Sequence, residues 1–457
     1  MRTLEWVFLL VWAAAWVIDM RLRPSGVVRI VVIAAPLVAL TAHLFGEGAR
    51  WQLVPAYLGV VLYETRFIRS RVSLITFVSG LLAVLGLVFG ILFPVPRLPH
   101  PNGPYAVGTL SFAATDAARD EIFTAAPDDK RRVMVQVWYP AEAQPGARPA
   151  AWLSRADAMG PAIAAWVKLP AFAFSHAGLI AGNAVVDAPW DTSQARWPVL
   201  IYSHGWGGFR QINANQSESL ASHGYVVVAI DHPYGALAAT FDDGTVIPND
   251  RSLLPKRGTP EFLPASQRLE DVYSHDVTFV LDELERMNRD DARLSTRLDL
   301  SHVGFFGHST GGGAVVIACA RDPRCKALVG QDTWIEPVPD PLVAAGLDCP
   351  ALYLRSEEWT GDANDARLGR FFDASSGPRW RTSIRGAKHY DFTLIPLFSP
   401  LAPYLGLKGP IAASRVMPLI DDMMLAFFDV QLKGAPPSQI VAVAARYPEM
   451  SLEAGEK

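Results

Sequence analysis

The sequence predicts an α/β protein whose mostly parallel sheet is covered by helices on both faces and is preceded by an all-α transmembrane region. After residue 97, short buried apolar runs alternate with segments of helical spacing, which is the pattern of parallel strands joined by crossover helices. The first 97 residues are apolar and carry a net charge of +5, whereas the remaining 360 carry −9. We therefore predict a transmembrane region over residues 1–97 and a globular domain over residues 98–457.

The predicted transmembrane region contains four apolar segments. A helix needs about 20 residues to cross a hydrocarbon core of about 30 Å. The second and fourth segments have that length, the first is slightly short, and the third is shorter and contains Pro55. The segments are Leu4–Met20, Val27–Phe45, Trp51–Tyr63 and Leu74–Phe93.

Arginines between the segments favour four spans over three. One cluster separates the first two segments, a second cluster separates the last two, and the middle connection has only Glu47 and Arg50. Because basic residues favour the cytoplasmic side, four spans place both clusters there and leave the N-terminus and the globular domain outside the cytoplasm. The clusters are Arg21, Arg23 and Arg29, and Arg66, Arg69 and Arg71.

A run with five prolines at residues 93–104 predicts a stiff linker between the two parts. Beyond it, Val133–Tyr139 alternates and ends at a proline, which predicts an edge strand. An Asp-Gly pair at 243–244 predicts a small hairpin. The further strands are predicted at Pro198–Ser203, Tyr225–Asp231, Val303–Phe306, Lys326–Gln331, Ala351–Ser356 and Trp380–Arg385, and the helices at Gln211–Ser222, Ser266–Met287, Ala314–Ala320 and Leu419–Leu432.

Two apolar insertions, Trp152–Asp191 and Thr393–Ile411, interrupt this alternation with prolines and glycines. The second carries little charge. It fits a lid or a membrane-contacting surface, and it fits a packed loop equally well.

The strongest chemical motif is a G-x-S-x-G pentapeptide formed by Gly307, Ser309 and Gly311. It lies between a predicted buried strand and a predicted helix. At such a junction the turn is so tight that only small neighbours fit, and the serine hydroxyl projects over the edge of the sheet. Ser309 is therefore the predicted nucleophile.

A serine nucleophile needs a base within hydrogen-bond reach and an acid that orients the base. His389 is the only histidine after Ser309, and it follows the last predicted strand, where the base is expected. Spacing in the sequence alone does not identify the acid among four candidates. Asp332 ends one strand, while Glu357, Glu358 and Asp362 follow the next.

An oxyanion hole needs two backbone N–H groups. Thr310, directly after the nucleophile, is predicted to supply one of them. Trp206, in the glycine-rich loop at 203–208, is predicted to supply the other. His204 and His308 flank these loops and are predicted to be structural.

The three cysteines lack the spacing of a metal site, and the predicted chemistry needs neither a metal nor another cofactor. No basic face indicates nucleic-acid binding. Three alternatives stay open for the cysteines: a pairing of Cys325 with Cys349, both of which precede predicted strands, a pairing of Cys319 with Cys325, and free thiols.

From Tyr105 to Lys433 the chain resembles the plasma-type platelet-activating factor acetylhydrolases, which are serine esterases of the α/β-hydrolase fold. The resemblance rests on several motifs that recur in order, and on the 23 residues from Ser309 to Asp332. These motifs are YSHGWGGFR, LASHGYVVVAIDHPYGALAAT, GHSTGG, GQDTW, LYLRSE, IRGAKHYDFT and LGLKGPI.

The resemblance implies that Asp332 is the acid, that Ser309 attacks with His389 as base, and that Trp206 and Thr310 bind the oxyanion. It implies a serine ester hydrolase of lipid metabolism that acts on short acyl esters, including those of phospholipids. The four apolar segments, which the family's best-known members lack, add the expectation that this hydrolase is tethered to a membrane. Two alternatives stay open: an esterase of the cutinase or dienelactone hydrolase type acting on non-lipid esters, and a non-catalytic membrane receptor with a hydrolase fold.

Overall fold

The computed structural model describes residues 1–22, 24–65 and 72–455. Arg23, Arg66, Arg69 and Arg71, on which the predicted topology depends, lie outside these residues. Four helices occupy the described part of the N-terminal region, close to the four predicted segments. They are α1 (Thr3–Leu22), α2 (Gly26–Gly46), α3 (Val54–Thr65) and α4 (Val72–Leu92).

Three of these helices, rather than four, are long and apolar enough to cross a membrane: Thr3–Leu22, Gly26–Gly46 and Leu74–Leu92. The described part of α3 has 12 residues, which rise about 18 Å. Pro55 is the second residue of α3, in the first turn, where a helix accommodates proline best. Residues Trp51–Leu53 form a 3₁₀ turn. The described residues therefore include three helices of spanning length, and the count of four spans stays a prediction.

The rest of the described chain forms a ten-stranded sheet and a separate two-stranded hairpin. The strands are β1 (Ala106–Asp120), β2 (Lys130–Ala141), β3 (Val185–Val186), β4 (Trp197–Ser203), β5 (Val226–Asp231), β6 (Ala238–Thr240), β7 (Val246–Pro248), β8 (Leu298–His308), β9 (Cys325–Gln331), β10 (Ala351–Ser356), β11 (Arg379–Ile384) and β12 (Met450–Ala454).

In space the large sheet runs β12-β11-β10-β9-β8-β4-β5-β2-β1-β3. The central strands from β11 to β5 pair in parallel. Antiparallel pairs attach β2, β1 and β12. The predicted hairpin is present as the pair β6 and β7. Because the central strands are parallel, their carboxyl ends share one edge of the sheet, where ligands bind in this class of fold.

Helices cover both faces because side chains alternate along each strand. In β4, Leu200 and Tyr202 enter one core cluster, whereas Val199 and Ile201 enter the other. The described helices of this part are α5 (Ala156–Trp166), α6 (Ala214–Ser222), α7 (Phe262–Asp290), α8 (Thr310–Arg321), α9 (Asp340–Ala345), α10 (Ala363–Ala374), α11 (Ala413–Lys433) and α12 (Ser438–Ala445).

The predicted edge strand Val133–Tyr139 is not at an edge. It belongs to β2, which lies between β1 and β5. The reason is β1, which the sequence analysis did not recognise and which pairs with β2 over most of its length. The chain also continues past the predicted last helix into α12 and β12, which adds a strand at the opposite edge.

Cys319 and Cys325 form a disulfide, and Cys349 is a free, partly buried thiol. The pairing of Cys325 with Cys349 is therefore wrong, and the pairing of Cys319 with Cys325 is present. Helix α8 ends at Arg321, and the following turn, in which the N–H of Cys325 donates to the carbonyl of Asp322 (3.1 Å), brings the two cysteines together.

Both apolar insertions pack against each other through stacked rings of Trp152 and Phe398, whose centroids are 4.8 Å apart. The first insertion also contacts the N-terminal helices. The indole N–H of Trp51 donates to the carbonyl of Ala173 (3.2 Å), and its ring meets that of Phe172 edge-on. The sheet domain is thus held against the helical region through this insertion.

Candidate active site

The predicted site residues meet at the carboxyl edge of the sheet. Ser309 follows β8, Asp332 follows β9 and His389 lies in the loop after β11. The loop that carries Trp206 follows β4, the neighbour of β8. Parallel strand order therefore brings together residues that are up to 183 positions apart in the sequence.

Ser309 has the backbone conformation expected of a serine at a tight strand-to-helix turn, with φ 56° and ψ −122°. Its N–H donates to the carbonyl of Gln331 and its carbonyl accepts from the N–H of Trp334, both at 3.0 Å. A side chain at Gly311 would overlap the carbonyl oxygen of Ser203, and a Cβ at Gly205 would lie 2.9 Å from the Cβ of Ser309. These glycines therefore let the loop at 203–208 approach the serine and the first turn of α8.

Asp332 is buried and accepts a hydrogen bond from Nδ1 of His389 at 2.7 Å through Oδ2. Ser356 donates to the same carboxylate twice, from its N–H to Oδ1 and from its hydroxyl to Oδ2, both at 2.9 Å. Burial pushes the pKa of Asp332 up, but the hydrogen bonds from His389 and Ser356 and the charge of His389 outweigh it, so the pKa lies below its ordinary value. The geometry suits an ionised carboxylate.

The other three candidate acids make different contacts. Oε2 of Glu357 accepts from the N–H of Gly386 (2.7 Å), and Oε2 of Glu358 accepts from the backbone N–H of His389 (2.8 Å). Asp362 caps α10. Glu357 and Glu358 hold the backbone of the histidine loop, while Asp332 alone of the four contacts the imidazole.

The imidazole of His389 lies between two other rings. Trp359 stacks on it with centroids 5.2 Å apart and planes 19° from parallel. The ring of His308 is 4.5 Å away on a tilted plane, and its Nε2–H donates to the carbonyl of His389 (2.9 Å). Burial, then the charge of His389, lowers the pKa of His308 to about 3, so His308 is neutral at pH 7. Trp359 was not among the residues predicted for the site.

The backbone N–H groups of Trp206 and Thr310 have no acceptor among the described residues. Thr310 begins α8, where the first N–H groups of a helix lack partners within it. The loop of Trp206 is fixed by a hydrogen bond from Gly207 N–H to the carbonyl of Gly235 (2.9 Å). His204 donates from Nδ1 to the carbonyl of Gly205 (2.8 Å) and is buried, as predicted for a structural residue.

A second serine-histidine-aspartate chain lies beneath this loop. The hydroxyl of Ser203 is 2.9 Å from Nε2 of His232, and Nδ1 of His232 is 2.9 Å from Asp276, which also pairs with Arg131. All four side chains are buried, so they are closed to substrate. Arg131 also reaches the carbonyl of Pro233 (3.3 Å), which ties the chain to the loop that holds Trp206. No local sequence pattern marks this chain, because its members come from four separate elements.

A ferulic acid esterase from Streptomyces cinnamoneus has a similar structure, with a TM-score of 0.66 over 79% of this chain and 99% of that one, at 22% sequence identity. The order of the strands, the helices on both faces and this likeness define the α/β-hydrolase fold.

Residues 91–246 and 256–435 match the family model described as platelet-activating factor acetylhydrolase, isoform II. The chain belongs to this family.

Curated relatives carry related names. The platelet-activating factor acetylhydrolase of Bos taurus is 29% identical over 284 residues, and that of Cavia porcellus is 29% identical over 278; each match covers 56% of this chain. The chain spans 62% of the length of either relative. A probable 1-alkyl-2-acetylglycerophosphocholine esterase of Arthroderma benhamiae is 24% identical over 77% of this chain and 92% of its own length.

Proposed function

We propose that this protein is a membrane-tethered serine carboxylic-ester hydrolase, similar to the platelet-activating factor acetylhydrolases, that cleaves short acyl esters of phospholipids. The observation that carries the proposal is the hydrogen bond of 2.7 Å between buried Asp332 and His389, beside a serine at a strained strand-to-helix turn. The family membership and the names of the relatives support the reaction class.

In the proposed mechanism, Ser309 attacks the ester carbonyl while His389 accepts its proton through Nε2. Asp332 holds Nδ1 of His389, which fixes the orientation of the ring and stabilises the imidazolium that forms. The N–H groups of Trp206 and Thr310 bind the oxyanion of the tetrahedral intermediate. His389 then donates its proton to the leaving alcohol, and water attacks the acyl-enzyme with His389 again as base.

The membrane tether is supported by the three long apolar helices and by the contacts of Trp51 with the first insertion. Such contacts would hold the site close to the lipid surface. The proposal puts the catalytic domain on the extracytoplasmic side, because with four spans both arginine clusters would face the cytoplasm, the side that basic residues favour.

The reaction is tested by p-nitrophenyl acetate hydrolysis with full-length protein in detergent. Ser309→Ala should abolish turnover. Ser301→Ala is the matched control, because Ser301 is exposed on the same strand and should keep full activity. Undiminished turnover by Ser309→Ala would refute the proposal.

The substrate class is tested with phospholipids that differ only in the length of the sn-2 acyl chain. A short-acyl phospholipid esterase should lose kcat/KM steeply as that chain lengthens. Equal rates on short and long chains would contradict the phospholipid assignment while leaving the esterase chemistry intact.

A further inference from the structure

We propose that Trp359 is a positioning residue that acts through His389, because its indole face stabilises the imidazolium formed when His389 accepts the proton of Ser309. The inference rests on the proposed function and adds to it a residue outside the Ser309, His389 and Asp332 set. The proposed stabilisation depends on the electron distribution of the indole face as well as on the shape of the ring.

The position of Trp359 is fixed by the turn that follows β10. The N–H of Thr360 donates to the carbonyl of Glu357 (3.2 Å), and the N–H of Asp362 donates to the carbonyl of Trp359 (3.3 Å). Glu358 in the same turn accepts from the N–H of His389 (2.8 Å). The same short turn therefore fixes the indole of Trp359 and, through Glu358, the backbone of His389. This keeps the two rings in a nearly parallel stack.

Stacking of this kind favours a cation. The face of an aromatic ring carries negative charge in its quadrupole, tryptophan has the strongest face, and a cation within about 6 Å of the ring centre is attracted. The centroids here are 5.2 Å apart. The side chain of His389 is 15% exposed, so water screens the attraction only in part.

The other titratable groups around His389 are compatible with this role. Asp332 contacts Nδ1, Glu358 contacts the backbone N–H, and the ring of Tyr390 is 5.4 Å away. Lys388 precedes His389 in the chain. His308, on the other side of the imidazole, stays neutral because burial lowers its pKa, so it does not repel the imidazolium.

Replacement of Trp359 alone by tryptophan carrying one, two or three ring fluorines tests the proposal, since fluorine weakens the quadrupole with little change of shape. The face favours charged His389, so fluorination should move the acid limb of kcat/KM to lower pH. On the pH plateau kcat should fall stepwise, by about 2- to 30-fold in all, the range expected for losing this attraction.

The same fluorinated series at Trp380 is the control, because Trp380 lies on β11 and packs against Phe427. It should change neither kcat nor the acid limb. If the fluorinated Trp359 series leaves kcat and the acid limb unchanged, the proposal is overturned. Reduced activity of Trp359→Leu would then show that Trp359 acts only by filling space beside His389.

This outcome is separate from failure of the proposed function. If wild-type protein shows no turnover that depends on Ser309, the enzymatic assignment has failed before Trp359 is tested. If wild-type turnover is intact and the fluorinated series is flat, only the inference about Trp359 has failed.

Discussion

Ser356 donates both its backbone N–H and its hydroxyl to the carboxylate of Asp332, each at 2.9 Å. The first residue after β9 is thereby held by the last residue of β10, its parallel neighbour. Because the hydroxyl shares Oδ2 with His389, Ser356 bears directly on the contact between Asp332 and His389.

Ser356→Ala should lower kcat by about tenfold, since a hydrogen bond to a charged group contributes about 1.5 kcal/mol. Ser356 helps to hold the pKa of Asp332 below its ordinary value, so its loss should raise that pKa and move the acid limb of activity to higher pH. Ester hydrolysis measured across pH checks both effects. Ser383→Ala on β11 is the control, and equal profiles for the two variants would contradict this role.

Asp332→Asn should reduce kcat by up to about 10⁴-fold, the scale found when the orienting acid of such a triad is changed. Glu357→Gln and Glu358→Gln should retain most activity, because an amide oxygen still accepts from the backbone N–H groups that these residues bind. Single-turnover assays of the three variants decide between the candidates. A larger loss of kcat in Glu358→Gln than in Asp332→Asn would identify Glu358, and not Asp332, as the acid.

Gly311→Ala should lower stability by about 1–3 kcal/mol, as expected for overpacking. An added Cβ at Gly311 would overlap the carbonyl oxygens of Ser203 and His204, and backbone cannot move aside cheaply. Gly369→Ala, inside α10 with room for a methyl group, should instead gain about 0.5–1 kcal/mol. Thermal unfolding in detergent measures both variants. If Gly311→Ala were as stable as the wild type, the close approach of the 203–208 loop to Gly311 would be contradicted.

Stability should fall as the pH drops below about 6.5, the ordinary histidine value. Burial lowers the pKa of both His204 and His308 to about 3. Between these pH values both histidines are protonated in the unfolded chain and neutral in the folded chain. Each histidine should therefore lower the free energy of unfolding by about 2 kcal/mol as the pH falls from 6.5 to 5.

Unfolding in detergent at several pH values measures this slope, and His204→Gln should remove about half of the part due to these two residues. A slope that is unchanged in His204→Gln would mean that the histidine is charged in the folded protein.

Much of this architecture could be predicted from local signals. Ser309 and His389 are predictable as candidates, because a strained turn restricts its neighbours to glycine and because the triad has a fixed order along the chain. The acid was harder. Asp332 and Glu358 both follow parallel strands, so their positions along the chain are equivalent, and only the resemblance favoured Asp332. The structure distinguishes the two, because Asp332 contacts the imidazole of His389 whereas Glu358 contacts only its backbone N–H.

The features that sequence reasoning missed depend on contacts between distant segments. The edge assignment of Val133–Tyr139 failed because the neighbouring strand β1 carries polar residues over its second half and was not recognised. Trp359 stacks on a histidine 30 positions away, and Ser203 is 73 positions from Asp276. No periodicity within one segment encodes such pairs.

Labelling of the folded, full-length protein with a fluorophosphonate probe, followed by peptide mapping, tests directly whether Ser309 is an activated nucleophile. We expect one covalent adduct, on Ser309, with no adduct in Ser309→Ala and strongly slowed labelling in His389→Ala. Absence of labelling at Ser309 in folded wild-type protein, or labelling of a different serine, would contradict this role of Ser309.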